Sequence, residues 1–266
     1  MEIKFFKIVG SGNDFVIIDN RKNLIKNRNS LALKLCDRKF GIGADGLLLL
    51  ENSEKADFKM RIFNPDGSEA EMCGNGLRCI LRFISENSIS KKKHLKIETK
   101  AGLLDGIIKG KTMKVRMNII GEPKLNVEIP VDKSKIIGNF INTGVPHTVI
   151  FVDNVEKVDL EKIGPQIRYN KIFGKSGTNV NWVEIIKEGT IKIRTYERGV
   201  EGETLSCGTG SVASAIITSI IKKFKSPVTV ITKSKELLKV YFDEDFNKVY
   251  LEGKTFYAFK GVWVES

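Results

Sequence analysis

Two cysteines stand out by the residues on their C-terminal side. Cys73 opens Cys-Gly-Asn-Gly and Cys207 opens Cys-Gly-Thr-Gly, and after each second glycine the sequence reads as a helix. A helix N-terminus presents backbone N–H groups without intrahelical acceptors and about half a positive charge, so it binds anions and stabilises a thiolate. The glycines let a ligand carboxylate approach the backbone closely. A cysteine taken alone is more often a small buried hydrophobe than a reactive group. Duplication alters that weighing: two thiols at equivalent points could serve opposite faces of one planar carbanion, one removing a proton and the other returning one.

The duplication is wider than the cysteines. Gly10 to Asn20 returns as Gly144 to Asn154, and Cys73 to Gly76 returns as Cys207 to Gly210, both displaced by 134 residues. Thr99-Lys100 matches Thr232-Lys233 and Leu103-Leu104 matches Leu237-Leu238 with a single-residue slip. The economical reading is two homologous halves related by an internal pseudo-twofold axis, with equivalent loops face to face.

Each half reads as strands plus a central helix. Strands are expected at Ile3 to Val9, Phe15 to Asp19, Phe58 to Phe63 and Leu95 to Thr99, then at Thr148 to Val152, Asn181 to Ile186, Ile191 to Tyr196 and Val228 to Ile231. After Gly76, Leu77, Ile80, Leu81 and Ile84 form one apolar helical face; after Gly210, Val212, Ala215, Ile216 and Ile220 do likewise. The second helix carries no charge over SVASAIITSII, so it should be buried by its own half's strands. Shorter helices are expected at Leu31 to Arg38 behind a Ser30 cap and at Leu160 to Ile167. Cys79 lies inside the first motif's helix and Cys36 follows an apolar helical run; neither opens a Gly-x-Gly, and both read as structural.

Composition narrows the function classes. The formal net charge is +12, but the lysines are scattered and the short run Lys91 to Lys93 has no interleaved aromatics, which reads as a solvated surface rather than a nucleic-acid site. Four cysteines and two histidines make neither a disulfide framework nor a zinc site by spacing. Gly10-Ser-Gly12 fails as a dinucleotide fingerprint because Phe15 stands where the third glycine belongs. No apolar run approaches the roughly 20 residues of a membrane helix, and no signal peptide is evident, so a cytoplasmic protein without membrane partners is expected.

The motifs GSGNDF (Gly10 to Phe15), NPDGSEAEMCGNG (Asn64 to Gly76), GVPH (Gly144 to His147) and YERGVEGETLSCGTG (Tyr196 to Gly210) resemble those of the diaminopimelate epimerase family, in order and at similar spacing over nearly the whole chain. The resemblance implies interconversion of LL- and meso-2,6-diaminopimelate, a small-molecule amino-acid substrate, by a thiolate/thiol pair without pyridoxal phosphate or metal. It implies an α+β fold of two pseudo-symmetric halves, each a curved, barrel-like antiparallel or mixed sheet around a central helix, with the active site in the cleft between them. The halves are expected at residues 1–118 plus 258–266 and at 119–257, a strand at about Phe259 to Val264 returning to the first, and a homodimer as the assembly.

Carried over position by position, the resemblance makes Cys73 and Cys207 the acid/base pair. The backbone amides of Gly74-Asn75 and Gly208-Thr209 would hold the reacting carboxylate. Asn13, Asn64, Asn179, Glu197 and Arg198 match substrate-binding positions, with Arg198 suited to a distal carboxylate and Glu197 to an ammonium. His147 and Glu197 match positions that tune the cysteines' protonation. Without the resemblance, Asn13 reads as a turn residue, Glu197 and Arg198 as a strand-end ion pair, and His147 as a packed histidine. Gly46 after Asp45 and Val145 before Pro146 depart from the family's glutamine and asparagine at these places. The competing functions are a sister racemase acting on lanthionine or histidine, a basic nucleic-acid-binding protein, and a thiol redox protein, against which stands the lack of a Cys-x-x-Cys motif.

Overall fold

The computed structural model of the protein describes residues 2–132 and 134–264. The chain divides into two units, Met1–Arg116 with Gly253–Ser266, and Met117–Glu252. In chain order the strands are β1 (Glu2–Gly10), β2 (Asn13–Asp19), β3 (Gly46–Glu51), β4 (Phe58–Phe63), β5 (Glu69–Ala70), β6 (His94–Thr99), β7 (Gly102–Lys109) and β8 (Thr112–Met117). They continue as β9 (Ile120–Val131), β10 (Ser134–Asn142), β11 (Pro146–Phe151), β12 (Asn179–Lys187), β13 (Thr190–Glu197), β14 (Gly202–Thr204), β15 (Val228–Ile231), β16 (Leu237–Phe242), β17 (Val249–Lys254) and β18 (Phe256–Val264). The α-helices are α1 (Arg28–Cys36), α2 (Gly74–Glu86), α3 (Leu160–Arg168) and α4 (Gly208–Lys222).

Strand pairing is the same in both units. In the first, β18 pairs antiparallel with β1, β1 with β2, β3 with β4, β4 with β5, β6 with β7 and β7 with β8, while β2–β3 and β4–β6 are parallel. In the second, β9–β10, β10–β11, β12–β13, β13–β14, β15–β16 and β16–β17 are antiparallel, while β11–β12 and β13–β15 are parallel. Parallel neighbours cannot be joined by a tight turn and need a crossover. Here each crossover carries a helix: α1 lies between β2 and β3, α2 between β4 and β6, and α3 and α4 occupy the corresponding places in the second unit.

In the first unit α2 touches β1, β2, β3, β4 and β7, so the sheet curves around it. Leu77, Ile80, Leu81 and Ile84 are all buried there, as their spacing requires. The α4 helix touches β10, β11, β12, β13, β15 and β16, and its run from Gly210 to Ser219 is buried without interruption. Three of its polar members are satisfied within the helix, the hydroxyls of Ser211, Thr218 and Ser219 donating to the carbonyls of Cys207, Ser214 and Ala215, while the buried Ser214 hydroxyl has no partner among the described residues. The smaller helices cover the outside, α1 against β3 and β4, and α3 against β9, β12, β13 and β14.

Differences from the sequence reading are local. The helix expected at Leu31 to Arg38 behind Ser30 runs over Arg28–Cys36 instead, and its cap is Asn27, which accepts from the Ser30 N–H. Asparagine caps as well as serine does and lies nearly a turn earlier. Asp37 then leaves helical geometry, its carboxylate accepting from the Lys39 and Phe40 amides at 2.7 and 2.8 Å. No helix among the described residues is long and apolar enough to cross a membrane.

Candidate active site

Cys73 and Cys207 are the N-cap residues of α2 and α4. Both have extended backbone geometry, and each sulfur accepts the amide N–H three residues on, from Gly76 and from Gly210, at 3.4 Å in both cases. The fourth amide of each turn bonds the cysteine's own carbonyl, Leu77 to Cys73 at 2.8 Å and Ser211 to Cys207 at 2.9 Å. The first two amides of each helix, Gly74 and Asn75, and Gly208 and Thr209, have no acceptor one turn back within the helix. Each cysteine thus stands beside two N–H groups at the positive end of a helix dipole, a setting for an anion.

Beyond the caps the two settings differ. In the first unit Asn13, at the start of β2, accepts from the Asn75 side chain at 2.6 Å and donates to Asp45 at 3.0 Å. The Asn75 oxygen accepts from Arg78 at 2.6 Å. Asp45 is gripped by Arg38 at 2.7 Å, and the neighbouring Asp14 by Arg38 at 2.7 Å and by Lys7 at 2.9 Å. Burial would raise the Asp14 pKa, but Arg38 and Lys7 outweigh it and hold the carboxyl down at about 2. Asn64 sits just after β4 and donates to the Ser68 hydroxyl at 2.9 Å.

In the second unit the cap is buried and acidic. Cys207 is 5% exposed. Burial pushes its thiol well above the ordinary cysteine range, and the Glu197 carboxylate beside it pushes the same way, against weaker opposing bonds from Thr209 and the Gly210 amide. Burial also raises Glu197, opposed by hydrogen bonds from Thr204 and Cys207. The Thr204 hydroxyl donates to Glu197 at 2.8 Å. Arg198 comes next, at the end of β13, where its backbone N–H donates to Asn179 at 2.8 Å, and the Asn179 amide group donates to the Pro146 carbonyl at 2.9 Å. The Arg198 guanidinium makes no hydrogen bond or ion pair among the described residues, so the strand-end pair with Glu197 does not form.

His147 is fully buried, and desolvation, helped by the Arg198 charge, depresses its pKa to about 3. Its tautomer is set by its neighbour. The Asn181 oxygen accepts from Thr195 at 3.0 Å, so the Asn181 amide nitrogen faces His147 Nδ1 and the Thr148 carbonyl, each at 3.1 Å. Nδ1 is therefore the acceptor and Nε2 carries the proton. That Nε2 is buried with no partner among the described residues, a donor waiting for an acceptor.

The structure thus brings Asn13, Gly74 and Asn75 together around Cys73, and Glu197, Gly208 and Thr209 around Cys207, with His147 and Asn179 on neighbouring strands of the same unit and Arg198 in the turn just after β13. Asn181, Arg78, Asp45 and Thr204 are not singled out by sequence reasoning. Asn181 explains one glycine of the motif, since a Cβ at Gly210 would lie 2.3 Å from its oxygen, so the second glycine of Cys-Gly-Thr-Gly is required by packing. Gly46 has a similar cause: a Cβ there would meet the Phe63 carbonyl at 3.0 Å and the Phe15 ring at 3.4 Å. Cys36 and Cys79 are buried, and burial raises the Cys36 thiol to about 11. Among the described residues no group of three or more His, Cys, Asp or Glu could hold a metal ion.

Comparison with known proteins gives this pair of capped helices a family. The model of the family described as diaminopimelate epimerase matches residues 5–125 and 139–257. The chain belongs to the diaminopimelate epimerase family. A diaminopimelate epimerase from Aquifex aeolicus is 44% identical over 274 residues, covering 97% of each chain. Another from Hydrogenobaculum sp. is 45% identical over 270 residues and covers 96% of each. Among solved structures, a phenazine biosynthesis protein of the PhzF family from Bacillus anthracis superposes with a TM-score of 0.75 at 19% identity over 100% of both chains, a likeness of fold. Diaminopimelate epimerases are isomerases, and this chain carries its two cysteine motifs on two helix N-termini of matching geometry.

Proposed function

We propose that the protein interconverts LL- and meso-2,6-diaminopimelate by a two-base mechanism. The observation that carries the reading is the matched pair of cysteine N-caps in a chain of this family, each sulfur beside two helix-end amides. One thiolate takes the α-proton, so a C–H bond breaks and an S–H bond forms. The other thiol then delivers its proton to the opposite face of the carbanion and becomes the thiolate. Burial and the neighbouring Glu197 favour the protonated form of Cys207, which supports a reading in which Cys207 is the resting acid and Cys73 the resting base.

The amides of Gly74, Asn75, Gly208 and Thr209 are assigned to the carboxylate of the reacting centre, where they stabilise charge that develops as the proton leaves. Arg198, whose guanidinium has no hydrogen bond or ion pair among the described residues, suits a distal carboxylate, and a substrate acceptor would satisfy His147 Nε2. Asn13, Asn64 and Asn179 supply further polar contacts, and Glu197 suits an ammonium. The reading makes the protein a cytoplasmic homodimer in the supply of lysine and peptidoglycan precursors, with a small-molecule substrate, no nucleic-acid or membrane partner, and neither pyridoxal phosphate nor metal required.

The test is LL-diaminopimelate in deuterium oxide. Deuterium should enter at the α-carbon of the product as the meso form appears. Absence of both would end the reading, whereas comparable kcat/KM for lanthionine or histidine would move the assignment to a sister racemase. The two-base chemistry also requires both thiols to reach one α-carbon, so mild oxidation should give a Cys73 to Cys207 disulfide with loss of activity that dithiothreitol restores.

A further inference from the structure

We infer that Arg78 is a positioning residue that fixes the side-chain orientation of Asn75 and Asn13 through one directed chain of hydrogen bonds. What those asparagines hold rests on the reaction proposed above; the chain itself does not.

Arg78 lies in α2 and is fully buried. Its Nη2 donates to the Asn75 oxygen at 2.6 Å and to the Ser11 hydroxyl at 2.5 Å, and its Nη1 to the Lys254 carbonyl at 3.4 Å. The Asn75 amide nitrogen donates to the Asn13 oxygen at 2.6 Å, and the Asn13 nitrogen donates to Asp45 at 3.0 Å. Guanidinium only donates and carboxylate only accepts. A cation at one end and an anion at the other therefore force the same direction on both amides between them. Turning either amide over would set oxygen against oxygen or N–H against N–H. Each asparagine is left with one amide hydrogen not used in the chain. The second Arg78 contact reinforces this, because Ser11 sits at φ 55° in the turn that leads into Asn13.

The second unit shows that the fold does not itself demand a cation here. At the 134-residue displacement Val212 replaces Arg78, Thr209 replaces Asn75 and His147 replaces Asn13. A buried arginine costs more than a buried valine unless its hydrogen bonds do something, and here they orient two amides beside Cys73.

The test combines side-chain amide NMR with kinetics. In nitrogen-15-labelled protein, Arg78→Met should shift the side-chain amide signals of both Asn75 and Asn13 and speed their hydrogen exchange about tenfold or more, while Arg78→Lys, which keeps a donor cation, should restore them in part. With LL-diaminopimelate, Arg78→Met should lower kcat/KM about 10- to 100-fold, mainly through KM, as expected for charge-assisted hydrogen bonds. The double variant Arg78→Met/Asn75→Ala should be no worse than Asn75→Ala. An unmoved Asn13 signal in Arg78→Met, or losses that multiply in the double variant, overturns the inference. Should Arg78→Met fail to fold, Asp45→Asn at the other end must move the Asn75 signal two links away, and an unmoved signal overturns it equally. If the wild-type protein does not epimerise diaminopimelate, the proposed reaction fails while the amide signals still decide the role of Arg78.

Discussion

Cys207 and Cys73 share a backbone role and differ in what surrounds the sulfur, which sets expectations for each. Cys73→Ser and Cys207→Ser should each lower epimerisation by about 10²–10⁴-fold or more while leaving the melting curve in place, because serine keeps the cap but is not a usable base. Turnover above a tenth of wild type in either variant would sink the two-base assignment. Glu197→Gln removes the carboxylate that helps hold the Cys207 proton. The Cys207 pKa should then fall, and the alkaline limb of kcat/KM against pH should move to lower pH. His147 makes a separate prediction about stability. Its folded pKa of about 3 lies below the ordinary value of 6.5, so on acidification the unfolded chain takes up a proton that the folded one does not. The contribution is present above pH 6.5 and is lost as pH falls towards 3. Urea midpoints measured across that range should fall less steeply for His147→Asn than for the wild type, and equal slopes would contradict the burial argument. The cysteines and glycines were legible in sequence because they recur at one offset. Asn181 was not: the residue that packs against the equivalent Gly76 in the first half is Leu48, so repetition itself concealed it.

At the level of elements, the two Gly-x-Gly turns look alike and are constrained differently. A Cβ at Gly210 would lie 2.3 Å from the Asn181 oxygen, whereas at Gly76 the nearest neighbours are Leu48 at 3.3 Å and the Cys73 Cβ at 3.5 Å. Gly210→Ala should displace Asn181, break its bonds to His147, Thr148 and Thr195, and cost about 1–3 kcal/mol. Gly76→Ala should be near neutral, since the gain in helix propensity of up to about 1 kcal/mol offsets a mild contact. Denaturant unfolding of the two variants side by side checks the contrast. Strands with alternating burial, such as Leu95 to Thr99, were legible from their period. The β3 strand, GLLLLE, was not: it lies between parallel β2 and antiparallel β4, is buried on both faces, and so has no alternation to read. The β9 and β18 strands carry little apolar periodicity for the opposite reason, most of their residues being exposed or only half-buried.

For the whole molecule, the expected boundaries at 118/119 and 257/258 compare with divisions after Arg116 and Glu252. The second unit is one continuous stretch, while the first needs β18, which pairs with β1 along Glu2 to Val9. A fragment of residues 117–254 should therefore unfold cooperatively by itself. A fragment of residues 2–116 should not, until a peptide of residues 253–264 is added. Cooperative melting of 2–116 alone would show β18 to be dispensable to that unit. The need was legible only through the family resemblance, because Phe256, Phe259, Val262 and Val264 are exposed and no apolar face marks the strand, yet the backbone of that segment completes the β1 ladder.

Strand β18 also gives the protein a schedule. It leaves the ribosome after every other strand among the described residues, and at about 5–20 residues per second the wait between β1 and its partner is roughly 10–50 s. During that interval the whole second unit is translated, ending with β17 just ahead of β18, and the first presents an unpaired β1 edge to the cell. The half translated first is therefore the half finished last, and it is there that a holdase chaperone would find its binding site on the nascent chain.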